Sequence, residues 1–298
     1  MKKILVTGFT GCIGAATVEY LLGQGIERLV GFSRSANMAR IQKSFRSRIS
    51  TVQGDIASWE NVRELICTEK PTHIVHLSAF QTPDCQSQPF RGMEINVGGT
   101  SNLFRAAAEV GTVQRVVFAS SAAVYGPRSI YEGTTVSEEV PFKPSHLYGY
   151  WKLCGEGIAQ AFHKETQIPT VCLRIATTYG PGRDQGMTSA PTTAIKAVVL
   201  DVPFEIPYAG GEHYHYVHDV ACGFGQATLA PYEGYGVFNT RGITSSSHQF
   251  LELLRNKAQA QGLGASYRVK VAGEPLSFPF ACDLDDTASV EIFPQMIL

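Results

Sequence analysis

The chain is poor in charge. Lys, Arg, Asp and Glu make up 17% of its 298 residues, against about a quarter in ordinary globular domains, and they nearly cancel to a formal net charge of −1. No Lys/Arg block occurs, so nucleic acid is not an expected partner. No run of about eighteen apolar residues occurs either, so no membrane span is expected. The apolar run after the two N-terminal lysines is only Ile4 to Val6, and Gly8 soon follows. It reads as a first β-strand rather than a signal peptide. Seven cysteines are scattered with no C-x-x-C, which fits reduced thiols in a cytoplasmic protein. Internal repeats and low-complexity tracts are also lacking. Hydrophobic residues are plentiful at 44%, enough for a sizeable core in one large domain or two intimate ones.

Apolar runs alternate with helix-sized segments through the first part of the chain. Strands are expected at 3–7, 29–33, 49–53, 73–77, 115–119 and 170–175, with a late one at 237–240. These runs are rich in Val, Ile and Leu rather than alternating, as strands buried on both faces of a parallel sheet are. Helices are expected at 14–24, 59–70, 97–110 and 148–166. The alternation predicts an α/β fold with a doubly wound parallel sheet. Glycine and proline become frequent after Gly180. That shift predicts a nucleotide-binding unit at 1–176, with 214–244 returning to it, and a smaller lobe built from 177–213 and 245–298. Arg183, Thr188 and Ser189 fall in the Gly/Pro-rich segment expected to face a substrate.

TGFTGCIG at 7–14 follows the first strand and opens the first helix. Gly8, Gly11 and Gly14 allow a tight turn and a close approach of the backbone to a pyrophosphate. Thr10, Cys12 and Ile13 complete that turn, and the helix N-terminus offers free N–H groups and a positive dipole end. The second strand ends VGFSRS, without the Asp or Glu that usually holds the ribose of NAD. Ser33 and Arg34 stand there instead. A guanidinium suits a 2′-phosphate, so NADP is expected, with NAD as the alternative. Asp55 and Ile56 follow the third strand and are placed to flank an adenine, although Asp55 also suits a helix start. Leu77, Ser78 and Ala79 end the fourth strand on the cofactor path. Asn96 opens the helical run INVGGTSNLFRAA, beside the cofactor or as a cap.

Tyr148 and Lys152, in YGYWK, are four residues apart and share one helix face. An ammonium there can favour the ionised phenol, and a phenolate can accept a proton from an alcohol. ASSAAVYG at 119–126 adds hydroxyls at the end of a predicted strand.

With these three elements in order, the chain resembles the extended short-chain dehydrogenase/reductases, the epimerase/dehydratase family of UDP-glucose 4-epimerase. The resemblance rests on TGFTGCIG, GDI at 54, HLSA at 76, NVGGT at 96, SSAAVYG at 120, YGYWK at 148 and LRIATTYGPG at 173, and weakens after about residue 220. It implies a Rossmann fold with a smaller C-terminal substrate-binding lobe and an NAD(P)-dependent enzyme. It places Ser121, Tyr148 and Lys152 at the nicotinamide, and Ala176 among the cofactor contacts. Ser120 competes for the hydroxyl role, but Ser121 stands three residues before Val124 of the VYG run, where the family has its Ser or Thr. In these roles Tyr148 takes a proton from the substrate hydroxyl, Lys152 lowers the pKa of Tyr148 and holds the ribose, and Ser121 orients the substrate oxygen.

Two departures point away from a nucleotide sugar. Family members carry an R-D-x-x-Y-V-x-D run whose Arg contacts the diphosphate. Here the run is EHYHYVHD at 212–219, with Glu212 in place of that Arg, and an acid would repel a diphosphate. Thr177 replaces the family's Asn after L-R-x-x. A small polyhydroxylated substrate such as a sugar or sugar acid is therefore expected, handled by hydride transfer at a hydroxyl carbon. An epimerase that retains its cofactor and a non-catalytic dinucleotide-binding regulator are the other readings. His213, His215 and His218 with Asp219 suggest packing and a helix cap at Asp219 rather than a metal site. The resemblance also implies a homodimer pairing helices 97–110 and 148–166.

Overall fold

A computed structural model describes residues 2–263, 268–273 and 281–295. Of the segment 245–298 assigned above to the smaller lobe, residues 264–267, 274–280 and 296–298 lie outside the described set.

Six strands, β1 (Ile4–Thr7), β2 (Leu29–Ser33), β3 (Ile49–Gln53), β4 (His73–His76), β5 (Arg115–Ser121) and β6 (Thr170–Ile175), form a sheet. After the short strands β7 (Thr177–Tyr179), β8 (Phe204–Ile206) and β9 (Gly211–Tyr216), β10 (Tyr235–Asn239) returns to its edge. The order is β10-β6-β5-β4-β1-β2-β3, and every pairing is parallel. This is the doubly wound Rossmann arrangement. Alternate residues of each strand feed two apolar layers. Ile4, Val6, Val117 and Ala119 join Val18, Leu21, Val220 and Phe224 on one face. Leu5, Val30, Phe32, Val116 and Phe118 join Ile66, Leu103, Phe104 and Phe162 on the other. Burial on both faces is why the strands read as unbroken Val/Ile/Leu runs.

A second sheet of three strands has the order β11-β9-β7, with β11 at Ile243–Ser246. β8 pairs with β12 (Val269–Val271). The helices Ala190–Leu200 and Ser247–Ala260 pack over these strands around Ala194, Val198, Ile206, Leu251 and Val269, a core of its own. Val217–Leu229 is a helix capped by Tyr216, so Asp219 lies inside its first turn and is not the cap expected from the sequence. Val220 is buried in the core of the sheet and Val217 packs against Ala16 of the first helix, which starts the helix two residues before Asp219.

Candidate active site

A cavity of about 760 Å³ runs along the carboxyl ends of β1, β2, β4, β5 and β6, the usual place for a ligand in an open α/β sheet. At one end is the turn from β1 into the helix Cys12–Gly23. Gly8 has φ +70°, a conformation that favours glycine. A Cβ on Gly14 would lie 2.2 Å from the Gly8 carbonyl oxygen, so only glycine lets the turn close. The helix is capped by Gly11, which has no side chain to satisfy the first N–H groups. Those donors are left for an anion, and a dinucleotide pyrophosphate fits them.

The structure brings nearly every expected cofactor residue to this cavity. Gly8, Thr10, Gly11, Cys12, Ile13, Gly14, Ser33, Arg34, Asp55, Ile56, Leu77, Ser78, Ala79 and Ala176 all line it. The Thr10 hydroxyl donates to Ser33 Oγ at 3.3 Å. The Arg34 guanidinium lies 5.5 Å from the centroid of the Phe80 ring. Asp55 is engaged by its own turn: one oxygen accepts from Ala57 N at 2.9 Å and the other from Arg91. Asn96 is placed elsewhere. It lies in a π-helical turn, Glu94–Gly98, not at a helix start, and its side chain clamps the backbone of Phe80 through bonds of 2.7 and 3.0 Å. It positions the cavity wall and does not line the cavity.

At the other end stand Ser121, Tyr148 and Lys152. The helix Leu147–Thr166 is capped by His146, whose Nδ1 accepts from Gly149 N at 3.3 Å. A Cβ on Gly149 would fall 2.1 Å from the Ala123 carbonyl oxygen. Glycine therefore lets the helix press against the turn after β5, which brings Tyr148 to face Ser121. Ser121 accepts from Ala123 N at 3.2 Å and donates to the Ile175 carbonyl at 3.4 Å. The neighbouring Ser120 donates to Glu156.

Desolvation drives the Tyr148 phenol up to about 12, and the Ser121 hydroxyl only partly offsets it. The lowering by Lys152 expected from the sequence is not found. Lys152 Nζ donates to the Ala119 carbonyl at 2.6 Å and lies 5.6 Å from the Tyr148 ring centroid. Burial brings the Lys152 amine down to about 8. An ammonium committed to the Ala119 carbonyl does little for the phenol.

The sequence did not single out Phe80, Gln81, His146 or Thr178, which also line the cavity. Their signal was position: Phe80 and Gln81 follow the β4 end, His146 precedes the Tyr/Lys helix, and Thr178 lies just past β6. Arg183 and Thr188 line the cavity too, whereas Ser189 is turned inward and donates to the Gly186 carbonyl at 2.7 Å. Glu212 is fully buried away from the cavity and faces the hydroxyls of Thr177, Tyr208 and Tyr214. Burial raises its pKa. Glu212 therefore does not face the cavity, and the repulsion of a diphosphate expected from it is not exerted at the cavity wall. The two departing positions, Thr177 and Glu212, are instead turned toward each other. His213 and His215 are buried beside each other, ring centroids 5.0 Å apart, and His213 Nδ1 meets Thr244 Oγ1 at 2.9 Å.

A parallel Rossmann sheet whose glycine turn opens into the same cleft as a Ser/Tyr/Lys set defines an extended short-chain dehydrogenase/reductase, an NAD(P)-dependent enzyme of the dehydrogenase or epimerase type. The chain belongs to the NAD dependent epimerase/dehydratase family, whose model matches residues 4–239. It is 28% identical over 292 residues to a UDP-glucose 4-epimerase of Lacticaseibacillus casei, covering 91% of this chain and 86% of that one. It is 29% identical over 238 residues to UDP-glucuronate 4-epimerase 5 of Arabidopsis thaliana, covering 74% of this chain but only 52% of that protein. Among solved structures it resembles the UDP-glucose 4-epimerase of Thermus thermophilus in complex with NAD, at 25% identity and a TM-score of 0.81, over 97% of this chain and 92% of that one. Among the described residues no helix is long and apolar enough to cross a membrane.

Proposed function

We propose that the protein is an NADP-dependent oxidoreductase acting at a hydroxyl or ketone carbon of a small polyhydroxylated substrate. The observation that carries the hydride-transfer chemistry is the cavity that joins the Gly8–Gly11–Gly14 turn to Ser121, Tyr148 and Lys152. The substrate class is supported by Glu212 and Thr177 standing where the family has its diphosphate-contacting Arg and its Asn. Gly8 to Gly14 would hold the pyrophosphate, Ser33 and Arg34 the adenine ribose phosphate, and Lys152 the nicotinamide ribose. When bound there, an oxidised nicotinamide would supply a hydride acceptor and a positive charge. Ser121 hydrogen-bonds the substrate oxygen and orients it. Tyr148 removes the proton from that oxygen as the carbon is oxidised, and returns it when a ketone is reduced. NADP rather than NAD is supported by Arg34, which lines the cleft and has no carboxylate partner among the described residues.

In this reading 1–176 with 214–244 bind the dinucleotide, and 177–213 with 245–298 shape the substrate end. None of the seven cysteines is in a disulfide, which supports a reducing, cytoplasmic setting. A homodimer through helices 97–110 and 148–166 is supported by Tyr150, a large side chain exposed on the second of them.

A second reading, a nucleotide-sugar 4-epimerase, is favoured by the extent of the likeness to the L. casei enzyme. One experiment separates the two. Purified protein is offered NADP⁺ or NAD⁺ with a panel of sugars and sugar acids while reduced cofactor is followed by absorbance, and UDP is titrated by calorimetry. Net cofactor reduction with weak UDP binding supports the oxidoreductase. Tight UDP binding without net reduction overturns it.

A further inference from the structure

Between the glycine turn and Tyr148 the cavity holds a cation that no carboxylate among the described residues neutralises. Arg183 Nη1 donates to Gln81 Oε1 at 2.6 Å and Nη2 to Thr188 Oγ1 at 2.7 Å, both uncharged acceptors. Its Nε is buried with no hydrogen-bond partner among the described residues. The neighbouring carboxylate, Asp184, is taken by Lys196 at 2.6 Å and Arg40 at 3.5 Å. Asp55, the one acid lining the cavity among the described residues, is paired with Arg91. Burial opposes the charge of the guanidinium, and the titratable groups that act on it are the Cys12 thiol and then the Tyr148 phenol. A desolvated guanidinium without a counter-charge is costly, and it is retained where an anion is to be bound. Gln81 and Thr188 hold the fork in one orientation, and Arg is the side chain suited to a carboxylate.

We propose that Arg183 binds an oxyanion carried by the substrate, so that the substrate is a small hydroxy acid whose carboxylate sits on Arg183 while its reacting hydroxyl meets Tyr148. This rests on the oxidoreductase reading of the cavity. The dinucleotide pyrophosphate is the competing source of an oxyanion, because Cys12 lies in the phosphate turn.

The test is calorimetry on the protein saturated with NADP⁺, using matched acid and neutral probes: D-glucuronate against D-glucose, D-gluconate against D-glucitol, and D-glycerate against glycerol. At least one acid is expected to bind about tenfold or more tightly than its neutral partner, as loss or gain of a charge-assisted pair requires. Arg183→Gln should erase that preference, and Arg183→Lys should restore part of it, with the melting temperature of each variant unchanged. Three results overturn the proposal. The first is no acid bound better than its partner. The second is Arg183→Gln weakening NADP⁺ while leaving acid preference intact, which assigns the residue to the pyrophosphate. The third is UDP binding that depends on Arg183, which assigns it to a nucleotide diphosphate. Failure of the oxidoreductase reading is read separately, as wild-type protein that binds UDP tightly and gives no net cofactor reduction with any probe.

Discussion

Glu156 and Arg174 form a buried ion pair, with carboxylate and guanidinium 2.8 Å apart. Glu156 follows Lys152 by one helical turn, and its carboxylate also accepts from Ser120. Arg174 Nη1 reaches the Tyr125 hydroxyl at 2.8 Å, and Tyr125 in turn donates to Asn239 at 2.7 Å. The pair therefore ties β5, β6, β10 and the Tyr148/Lys152 helix together beneath the site. It also distinguishes the two serines of β5: Ser120 is committed to Glu156, and Ser121 is left to face Tyr148. Removing either charge strands the other in the interior. Glu156→Ala and Arg174→Ala are each expected to cost about 3–5 kcal/mol in denaturant unfolding. Replacing both with apolar residues of similar volume should cost less than the sum of the single changes.

Gly149→Ala places a methyl group 2.1 Å from the Ala123 carbonyl oxygen. The helix must back away, and Tyr148 moves with it. The expected result is a loss of about 1–3 kcal/mol in stability with a disproportionate fall in turnover. Turnover equal to wild type would show that Tyr148 does not depend on this contact.

Arg34→Ala should weaken NADP⁺ binding by about tenfold or more and leave NAD⁺ nearly unchanged, as loss of a charge-assisted bond to a 2′-phosphate requires. Fluorescence titration with NADPH and NADH reads the difference. Unchanged NADP⁺ affinity would favour NAD as the cofactor.

Stability should fall in mild acid. His76 is buried between Thr7 Oγ1 at 2.7 Å and Thr100 Oγ1 at 3.0 Å. Desolvation, with a further push from Lys152, takes it from 6.5 down to about 3. The folded state thus binds fewer protons than the unfolded chain between these values, so this contribution is present above pH 6.5 and lost as pH falls toward 3. His73, lowered to about 4, acts in the same direction. His76→Gln should flatten the decline of unfolding free energy with falling pH.

The seven-stranded sheet was legible because strands buried on both faces announce themselves as contiguous Val, Ile and Leu. The strand Gly211–Tyr216 was not. GEHYHY looks polar, and its burial depends on distant partners such as Phe250, which stacks on Tyr214 at 5.2 Å between ring centroids. The site divides the same way. The glycine turn and the Tyr/Lys pair are local patterns. The contact of Arg183 with Gln81 spans 102 residues, and the commitment of Lys152 to the Ala119 carbonyl depends on strand and helix meeting. The mutual facing of Thr177 and Glu212 follows from the pairing of β7 with β9, which no local motif encodes.

The central claim is that the Tyr148 phenol moves the proton, and Tyr148→Phe tests it most directly. Cofactor affinity, read by fluorescence, should stay within about threefold of wild type, while turnover of any substrate found in the screen should fall by about 100-fold or more. A variant that binds cofactor normally and retains more than about a tenth of the activity would contradict the account.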